Sequence, residues 1–235
     1  MSRFGLGFIG AGGTPGNDAF TKILLHMDGS NGGTTFTDAN IGGSAHTWTP
    51  TNATTRTSNS KFGSASLLTA AGYITTPDHA DFTLSSSDWT MDGWLNANST
   101  SGVVGLAGQT STLGGVAQTS ITINRNASGA IVAQAAVGGT FFTVTGTTAF
   151  TDSVWRHFAF LRTGNILRLY INGAQEGGDK ALSGAINNSS NNWSVGRMGE
   201  NTTFTASSVY IDEFRLSVGI ARWTSNFSVP TGPYV

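Results

Sequence analysis

The chain has 235 residues, with 12 Lys and Arg against 13 Asp and Glu, a formal net charge of −1 and only 11% charged residues. Because it has neither a basic run nor a positive balance, nucleic acid is not an expected partner. The absence of Cys excludes disulfides and thiolate metal sites, and the length is sufficient for one all-β sandwich with a full core.

Residues 1–21 are rich in glycine and lack hydrophobic periodicity, which predicts an extended N-terminal arm before a domain at 22–235. Four apolar residues in the arm are candidates for packing on a neighbouring subunit: Phe4, Leu6, Phe8 and Ile9. The G-x-G-x-x-G sequence from Gly5 to Gly10 lacks the preceding strand and following helix of a dinucleotide site. The apolar run is too short to cross a bilayer, so no membrane insertion is expected.

From residue 22 onward, short apolar segments alternate with clusters of turn-forming residues, which predicts many short strands. No stretch favours a long amphipathic helix, because Gly, Thr and Asn interrupt every candidate. We predict an all-β antiparallel two-sheet jelly-roll sandwich. Its predicted strands are Lys22–Asp28, Ser66–Leu68, Tyr73–Thr75, Trp89–Asn96, Ser120–Asn124, Ile131–Val137, Thr140–Thr145, Arg156–Arg162, Ile166–Asn172, Trp193–Val195 and Val209–Ser217.

The clearest hairpin joins Trp155–Arg162 to Ile166–Asn172 through a short turn centred on Gly164. The apolar residues of the second strand alternate with Arg and Tyr, so we expect one face to carry Leu167, Leu169 and Ile171. The following Asn172-Gly173 pair suits a type I′ turn, which requires positive φ at both central residues.

The closing strand, Val209–Ser217, carries acidic residues among apolar ones. A regular pleat would place Tyr210, Asp212, Phe214 and Leu216 on one face and Val209, Ile211, Glu213 and Arg215 on the other. Each face then holds an acid beside apolar neighbours. A buried carboxylate is costly without a cation or hydrogen-bond donors, so Asp212 requires a compensating partner.

Five stretches, in order, make the chain resemble the laminin-G-like (concanavalin A-like) jelly rolls, especially those of phage structural proteins. They are ILLHMDG (23–29), SKFGSASL (60–67), WTMDGW (89–94), WRHFAFLRTGNILRLYINGAQEG (155–177) and YIDEFRLSVGIARWTSNFSVPTGPY (210–234). The resemblance implies two antiparallel sheets whose first and last strands lie close together. It also implies a Ca²⁺ near those strands, as in many family members.

The candidate ligands for such a structural calcium ion are oxygen-bearing side chains, as Ca²⁺ requires: Asp28, Asn31, Asp38 and Asp212. Asp28 and Asp212 match the acidic positions of the family pattern, whereas the other two are extrapolated from the glycine-rich loop. The alternative is that Asp212 accepts backbone N–H or Tyr hydroxyl hydrogen bonds, or pairs with Arg215 or Arg222.

Glycan-binding sites stack sugars on exposed aromatic rings beside amides and carboxylates. The candidates for this role are Trp48, Trp193, Tyr210 and Trp223. By contrast, the strand positions of Trp94 and Trp155 predict that both belong to the core.

Catalytic patterns are missing from the sequence. The three Glu residues do not form the Glu-x-Asp-x-x-Glu pattern of glycosidases with this type of fold, and no G-x-S-x-G occurs. The His residues at 26, 46, 79 and 157 are too scattered for a zinc pattern, and those at 26 and 157 are expected to be structural. We therefore expect a protein without enzymatic activity.

The favoured function at this point is a structural or decoration protein on the virion surface, attached through its arm. Its expected partners are other virion proteins and further copies of itself, with a trimer favoured. The alternative is an adhesion module that binds host surface glycans, and a glycan-processing enzyme is a distant third.

Overall fold

The computed structural model describes residues 16–69, 72–97, 102–111, 115–200 and 209–235. These residues form two antiparallel sheets that pack face to face, which confirms the predicted jelly-roll sandwich. Two short 3₁₀ helices, Ala80–Phe82 and Val116–Gln118, interrupt the loops. None of the helices in the described ranges has the length and apolar character needed to cross a membrane.

One sheet has eight strands: β1 (Thr21–Leu25), β3 (Thr54–Arg56), β4 (Ser66–Leu68), β6 (Trp89–Ala97), β11 (Arg156–Thr163), β12 (Ile166–Ile171), β13 (Ala174–Ala181) and β15 (Val209–Val218). The other has seven: β2 (Thr49–Thr51), β5 (Tyr73–Thr76), β7 (Val104–Gln109), β8 (Ile121–Arg125), β9 (Ala130–Val137), β10 (Thr140–Ala149) and β14 (Trp193–Val195). The first strand, β1, pairs with the last, β15, as the resemblance implies.

All eleven predicted strands are present with small changes at their ends, and β13 is the return strand expected after the turn at Asn172-Gly173, although its extent was not predicted. Three further strands, β2, β3 and β7, were not predicted. β1 ends at Leu25 rather than at Asp28, because Met27 has a φ of 61° and leaves the extended conformation. The turn after β12 has positive φ at Asn172 (48°) and Gly173 (79°), as a type I′ turn requires.

The core lies between the two sheets and forms one continuous cluster of buried apolar side chains. Leu167, Leu169 and Ile171 all belong to it, which confirms the predicted inner face of the hairpin. Trp89 and Trp193 are among the largest fully buried side chains. Burial on this scale is the main favourable term in folding, at about 25 cal/mol for each Å² of apolar surface.

The C-terminal segment, residues 219–235, covers part of the outer face of the eight-stranded sheet. There it forms a second apolar cluster, in which Trp223 and Phe227 pack against Leu161 and Tyr170. The rings of Trp223 and Phe227 are stacked, with centroids 4.0 Å apart and planes inclined by 10°. This face of the sheet is therefore partly internal.

The start of the described chain packs beside its C-terminus. The Asn17 backbone N–H donates to the Val235 carbonyl at 2.8 Å, and Asp18 pairs with Arg222 at 2.9 Å. Residues 16–20, which were assigned to the arm, thus contact the sandwich. The arm residues Phe4, Leu6, Phe8 and Ile9 lie outside the described residues.

Candidate functional site

The closing strand contains a β-bulge that the sequence pattern does not reveal. β15 pairs with β6 through Asp212 and Trp94, and again through Arg215 and Asp92, so β15 has one more residue than β6 in between. Glu213, within the bulge, has a φ of 50°. An extra residue in one strand reverses the alternation of its side chains beyond that point.

The predicted division of β15 into two faces is therefore wrong after the bulge. Its inward side chains are Val209, Ile211, Phe214 and Leu216, all of which belong to the core. Asp212 and Arg215 lie instead on the outer face, where Arg215 reaches the Asp92 carboxylate. The bulge thus removes both charged groups from the apolar interior of the sandwich.

Asp212 is fully buried and is held by backbone donors. Its Oδ2 accepts hydrogen bonds from the N–H groups of Lys61 (2.7 Å) and Phe62 (3.1 Å), and its Oδ1 accepts one from Glu213 (2.9 Å). Burial raises the pKa of Asp212 to about 7, although the three N–H donors act in the opposite direction. Backbone donation, one of the alternatives left open by the sequence, is the interaction that compensates this carboxylate.

Asp28 binds the same loop from the other side. Its Oδ1 accepts hydrogen bonds from the Ser64 backbone N–H, from the Ser64 hydroxyl at 3.0 Å and from the Ala65 N–H at 3.2 Å. Asp212 and Asp28 thus fix residues 60–65 between the first and last strands. Their role in the structure is to hold a loop.

The remaining calcium candidates are also bound to the backbone. Asp38 Oδ1 accepts two N–H groups at 3.0 and 3.1 Å, and Asn31 Oδ1 accepts one at 3.4 Å. Within the described ranges, the carboxylates of Asp28, Asp38 and Asp212 do not come together as a metal-binding group. The structure therefore does not bring the four predicted ligands together, and the calcium ion stays a prediction.

A buried polar network centred on Asp92 ties the C-terminal segment to the sheet. Arg215 donates to the Asp92 carboxylate from Nε (3.0 Å) and Nη2 (2.8 Å), and the Tyr234 hydroxyl donates at 2.5 Å. His157 Nε2 lies 3.0 Å from the Tyr234 hydroxyl. Burial opposes the charged form of Asp92, but Arg215 and His157 outweigh it and lower its pKa to about 2.

A third buried acid, Glu213, joins the first strand to the C-terminal segment. Its Oε1 lies 2.8 Å from His26 Nδ1, and its Oε2 accepts the Tyr234 backbone N–H at 3.0 Å. The hydrogen bond to Glu213 raises the pKa of His26. His26 and His157 therefore act as structural groups, in keeping with their assignment from the sequence.

The candidate glycan-stacking residues divide by burial. Trp193 is 0% exposed and Trp48 is 5% exposed, and both lie in the core, so their prediction as sugar platforms is corrected. Trp223 is half-buried, and Phe227 occupies one face of its ring. Tyr210 is half-buried and lies on the outer face of β15, because its neighbour Ile211 points into the core.

Tyr210 belongs to a row of side chains that crosses three strands. It pairs with Asn96 on β6, and Trp155 lies beside Asn96 at the start of β11, where the next pair is Arg156 with Leu95. Neighbouring strands are about 4.8 Å apart, so Tyr210 and Trp155 flank Asn96 at a backbone separation of about 10 Å. We call the row Tyr210, Asn96 and Trp155, with the adjacent Lys61 and Phe62, the Tyr210–Trp155 surface.

Trp155 was predicted to be a core residue, and this is wrong. Phe158 and Phe160 take the inward positions of β11, so the alternation places Trp155 and His157 on the outer face. Trp155 is half-buried, and its indole Nε1–H donates to the Asn59 side chain at 3.0 Å. The alternation with Phe158 and Phe160 is the sequence signal that could have identified it.

Lys61 and Phe62 complete the surface from the loop that Asp212 holds. Lys61 Nζ lies 4.1 Å from the centroid of the buried Trp94 ring, and the Phe62 ring meets the same ring edge-on at 5.7 Å. Both residues are half-buried. The surface therefore combines aromatic rings, side-chain amides and one ammonium group.

The sequence matches a family model for the Concanavalin A-like lectin/glucanases superfamily over residues 68–219, more than half of the chain. The chain belongs to this superfamily. No curated protein matches it.

Several solved structures of toxin binding domains are similar. The binding domain of Paraclostridial Mosquitocidal Protein 1 has a TM-score of 0.65 at 14% identity, covering 86% of this chain and 49% of that one. Botulinum neurotoxin type C, which depends on interaction with two ganglioside molecules to enter cells, gives 0.63 at 11%, with coverage of 86% and 49%. The binding domain of botulinum neurotoxin DC in complex with SialylT gives 0.63 at 12%, with the same coverage. The chain spans about half the length of these relatives, and the likeness establishes the fold alone.

Proposed function

We propose that this superfamily member is a non-enzymatic glycan-binding module, with the Tyr210–Trp155 surface as its binding site. The observation that carries the proposal is the row in which two half-buried aromatic side chains, Tyr210 and Trp155, lie on one face of the sheet on either side of Asn96. Asn96 itself is 2% exposed and donates to the Ser153 carbonyl, so it supports the row from beneath. Aromatic rings bind the apolar faces of sugars, and polar side chains bind their hydroxyl groups. The half-buried Asn59 and Lys61 supply such polar groups beside the rings.

The surroundings of the row suit a polar and weakly charged ligand. Asn59 and Lys61 add an amide and an ammonium group, and the loop that carries them is fixed by Asp212. A fixed loop limits the entropy lost on binding. The low overall charge of the chain, 11% charged residues, is consistent with recognition through stacking and neutral hydrogen bonds.

The similar structures support a binding role rather than catalysis, because they are binding domains of toxins. One of them is described as depending on ganglioside molecules for cell entry and another as a complex with SialylT, and these partners are the reason for choosing a glycan. This chain covers about half of each, so its own ligand and contact residues are proposals from its own surface.

The test is a glycan array probed with the full chain, displayed multivalently because single lectin sites bind weakly. We expect saturable binding to a subset of glycans, reduced at least 10-fold by Trp155→Ala and by Tyr210→Ala. Phe141→Ala is the matched control, since Phe141 is an exposed aromatic residue on β10 of the other sheet. Binding that survives both row substitutions, or is lost equally in the control, would exclude this surface.

The virion role stays a prediction, as do the homo-oligomer, the trimer and the location on a virion surface. The comparisons favour the binding module over the structural protein as the primary function. The two roles are compatible, because a glycan-binding domain can be attached to a particle through its arm.

A further inference from the structure

A second cluster of polar side chains shares no residue with the Tyr210–Trp155 surface. It is formed by His46, in the loop between β1 and β2, and by His79 and Asp81, at the 3₁₀ helix Ala80–Phe82. The proposed function makes no use of these residues. In the part of the chain that the structure describes, they are the only group of three or more His, Asp or Glu residues with metal-binding spacing.

The ligand atoms of the cluster are close together. Asp81 Oδ2 lies 3.4 Å from His46 Nε2 and 3.2 Å from His79 Nδ1, and all three atoms lie within 4.8 Å of one another. Ligands bound to zinc at about 2.0–2.2 Å in a tetrahedral arrangement are about 3.3–3.6 Å apart. The distance of 3.4 Å to His46 Nε2 lies within this range, and the distance of 3.2 Å to His79 Nδ1 is about 0.1 Å below it.

His46 presents an unpaired ring nitrogen to the cluster. Its side chain is 5% exposed, its Nε2 is buried without a hydrogen-bond partner, and the ring has a backbone hydrogen bond with Lys22. Since Nε2 has no partner, we assign the contact with the Lys22 backbone to Nδ1, which makes Nδ1 the protonated nitrogen of the neutral ring. A lone pair on Nε2 then faces the Asp81 carboxylate, an arrangement that a cation between them would stabilise.

The remaining contacts of the cluster are those of supporting groups around a metal ligand. A backbone carbonyl that accepts the second N–H of a histidine fixes its tautomer, as is usual for metal-bound imidazoles. Asp81 Oδ2 accepts the Ser44 backbone N–H at 2.7 Å, which orients the carboxylate. A Cβ at Gly43 would lie 2.6 Å from that oxygen, so a larger residue there would displace the Asp81 carboxylate.

We propose that His46, His79 and Asp81 bind a divalent transition-metal ion of the zinc class. Two imidazoles and one carboxylate form a three-residue ligand set of the type found at zinc sites with one open position. His79 is 41% exposed, so the fourth position faces solvent and is available to water or to a ligand oxygen. The ion would connect the loop that precedes β2 to the 3₁₀ helix that precedes β6.

Ion binding requires one local change. His79 Nδ1 now accepts the Asp81 backbone N–H at 3.1 Å, and it exchanges this hydrogen bond for the metal. Burial lowers the pKa of His46 and so favours the neutral imidazole, the form that binds a metal. The charges of Asp38 and Asp81 also act on His46 and favour a bound cation.

The test is a calorimetric titration of the tag-free, chelator-treated full chain with Zn²⁺, repeated with Co²⁺ to observe the visible absorption of a tetrahedral site. We expect one ion per chain, with the affinity lowered at least 10-fold in His79→Ala and in Asp81→Asn. His26→Gln is the matched control, because His26 is a half-buried histidine paired with a carboxylate elsewhere. Its affinity is expected to equal that of the unchanged chain.

Binding of less than one Zn²⁺ at micromolar concentration, or equal affinity in His79→Ala and the unchanged chain, would overturn the proposal. His79→Ala alone decides the matter if Asp81→Asn does not fold, because the His79 side chain is substantially exposed. A Ca²⁺ titration is expected to show no binding at this site, since Ca²⁺ prefers oxygen ligands. Glycan binding by the same variants is a separate measurement, so either proposal can fail alone.

Discussion

The buried ion pair between Arg215 and Asp92 provides the sharpest prediction for stability. Replacing Arg215 by Met keeps most of the apolar volume but removes the two N–H donors at 3.0 and 2.8 Å. Asp92 remains 0% exposed with the Tyr234 hydroxyl as its main donor. The buried carboxylate then keeps the Tyr234 hydroxyl and the nearby His157, 3.6 Å away, but loses its guanidinium partner.

The expected cost follows from the geometry. Removing one partner of a buried, hydrogen-bonded ion pair destabilises a protein by about 3–5 kcal/mol. The pKa of Asp92, lowered from 3.8 to about 2, accounts for part of it. At about 1.4 kcal/mol for each pKa unit, this depression corresponds to about 2.5 kcal/mol. That contribution is present above about pH 4 and is lost as the pH falls toward 2.

The assay is urea unfolding of the unchanged chain and of Arg215→Met between pH 3 and 7. At pH 7 we expect Arg215→Met to lose about 3–5 kcal/mol, or about 6–20 °C in Tm for a chain of this size. The difference should narrow toward pH 3, because the unpaired Asp92 becomes protonated. Arg168→Met is the control, since Arg168 pairs with the exposed Asp179 and should cost about 1 kcal/mol or less. A loss of less than about 1 kcal/mol, or a loss independent of pH, would show that Arg215 does not stabilise the buried Asp92 carboxylate.

Two further predictions concern the first strand and the hairpin. Glu213→Gln should lower the raised pKa of His26 toward its ordinary value, which an NMR titration of the imidazole would report; an unchanged value would contradict the contact. In the unchanged protein this pair stabilises the fold below the ordinary His pKa, and its contribution is lost as the pH rises through the raised one. Gly173→Ala should cost more free energy of unfolding than Gly164→Ala, although both have positive φ, because only at Gly173 would the added Cβ collide with the Phe227 carbonyl. Equal losses of about 1–2 kcal/mol would show that the collision is relieved without cost.

Much of the fold was predictable because the alternation of apolar residues within single segments matches the strand faces that the sandwich buries. Alternation in the hairpin identified Leu167, Leu169 and Ile171 as core residues, and the turn residues located its end. Two strands whose extent was not predicted show that pattern weakly or not at all. β7 places Val104 and Leu106 in the core, but two glycines and an alanine among its six residues obscure that alternation in the sequence. β13 is largely exposed and polar, so it has no apolar face to recognise.

The sites were less predictable because they depend on local backbone detail and on contacts between distant residues. The bulge at Glu213 exchanges the faces of the closing strand, and no residue in the sequence marks it. His46 and His79 are separated by a long stretch of chain, and pairing of the intervening strands brings them together. Asp28, Asp38 and Asp212 accept hydrogen bonds from different backbone N–H groups, and the sequence does not show which groups these are.

The central claim, that the row from Tyr210 to Trp155 binds a glycan, is tested most directly by NMR titration with the glycan that binds best on the array. We expect saturable shifts of the Trp155 indole N–H and of the buried Asn96 side-chain amide between the two aromatic residues. The Trp223 indole, which packs in the C-terminal cluster, should not shift. Shifts confined to the seven-stranded sheet, or none at all at Trp155 and Asn96, would contradict the central claim.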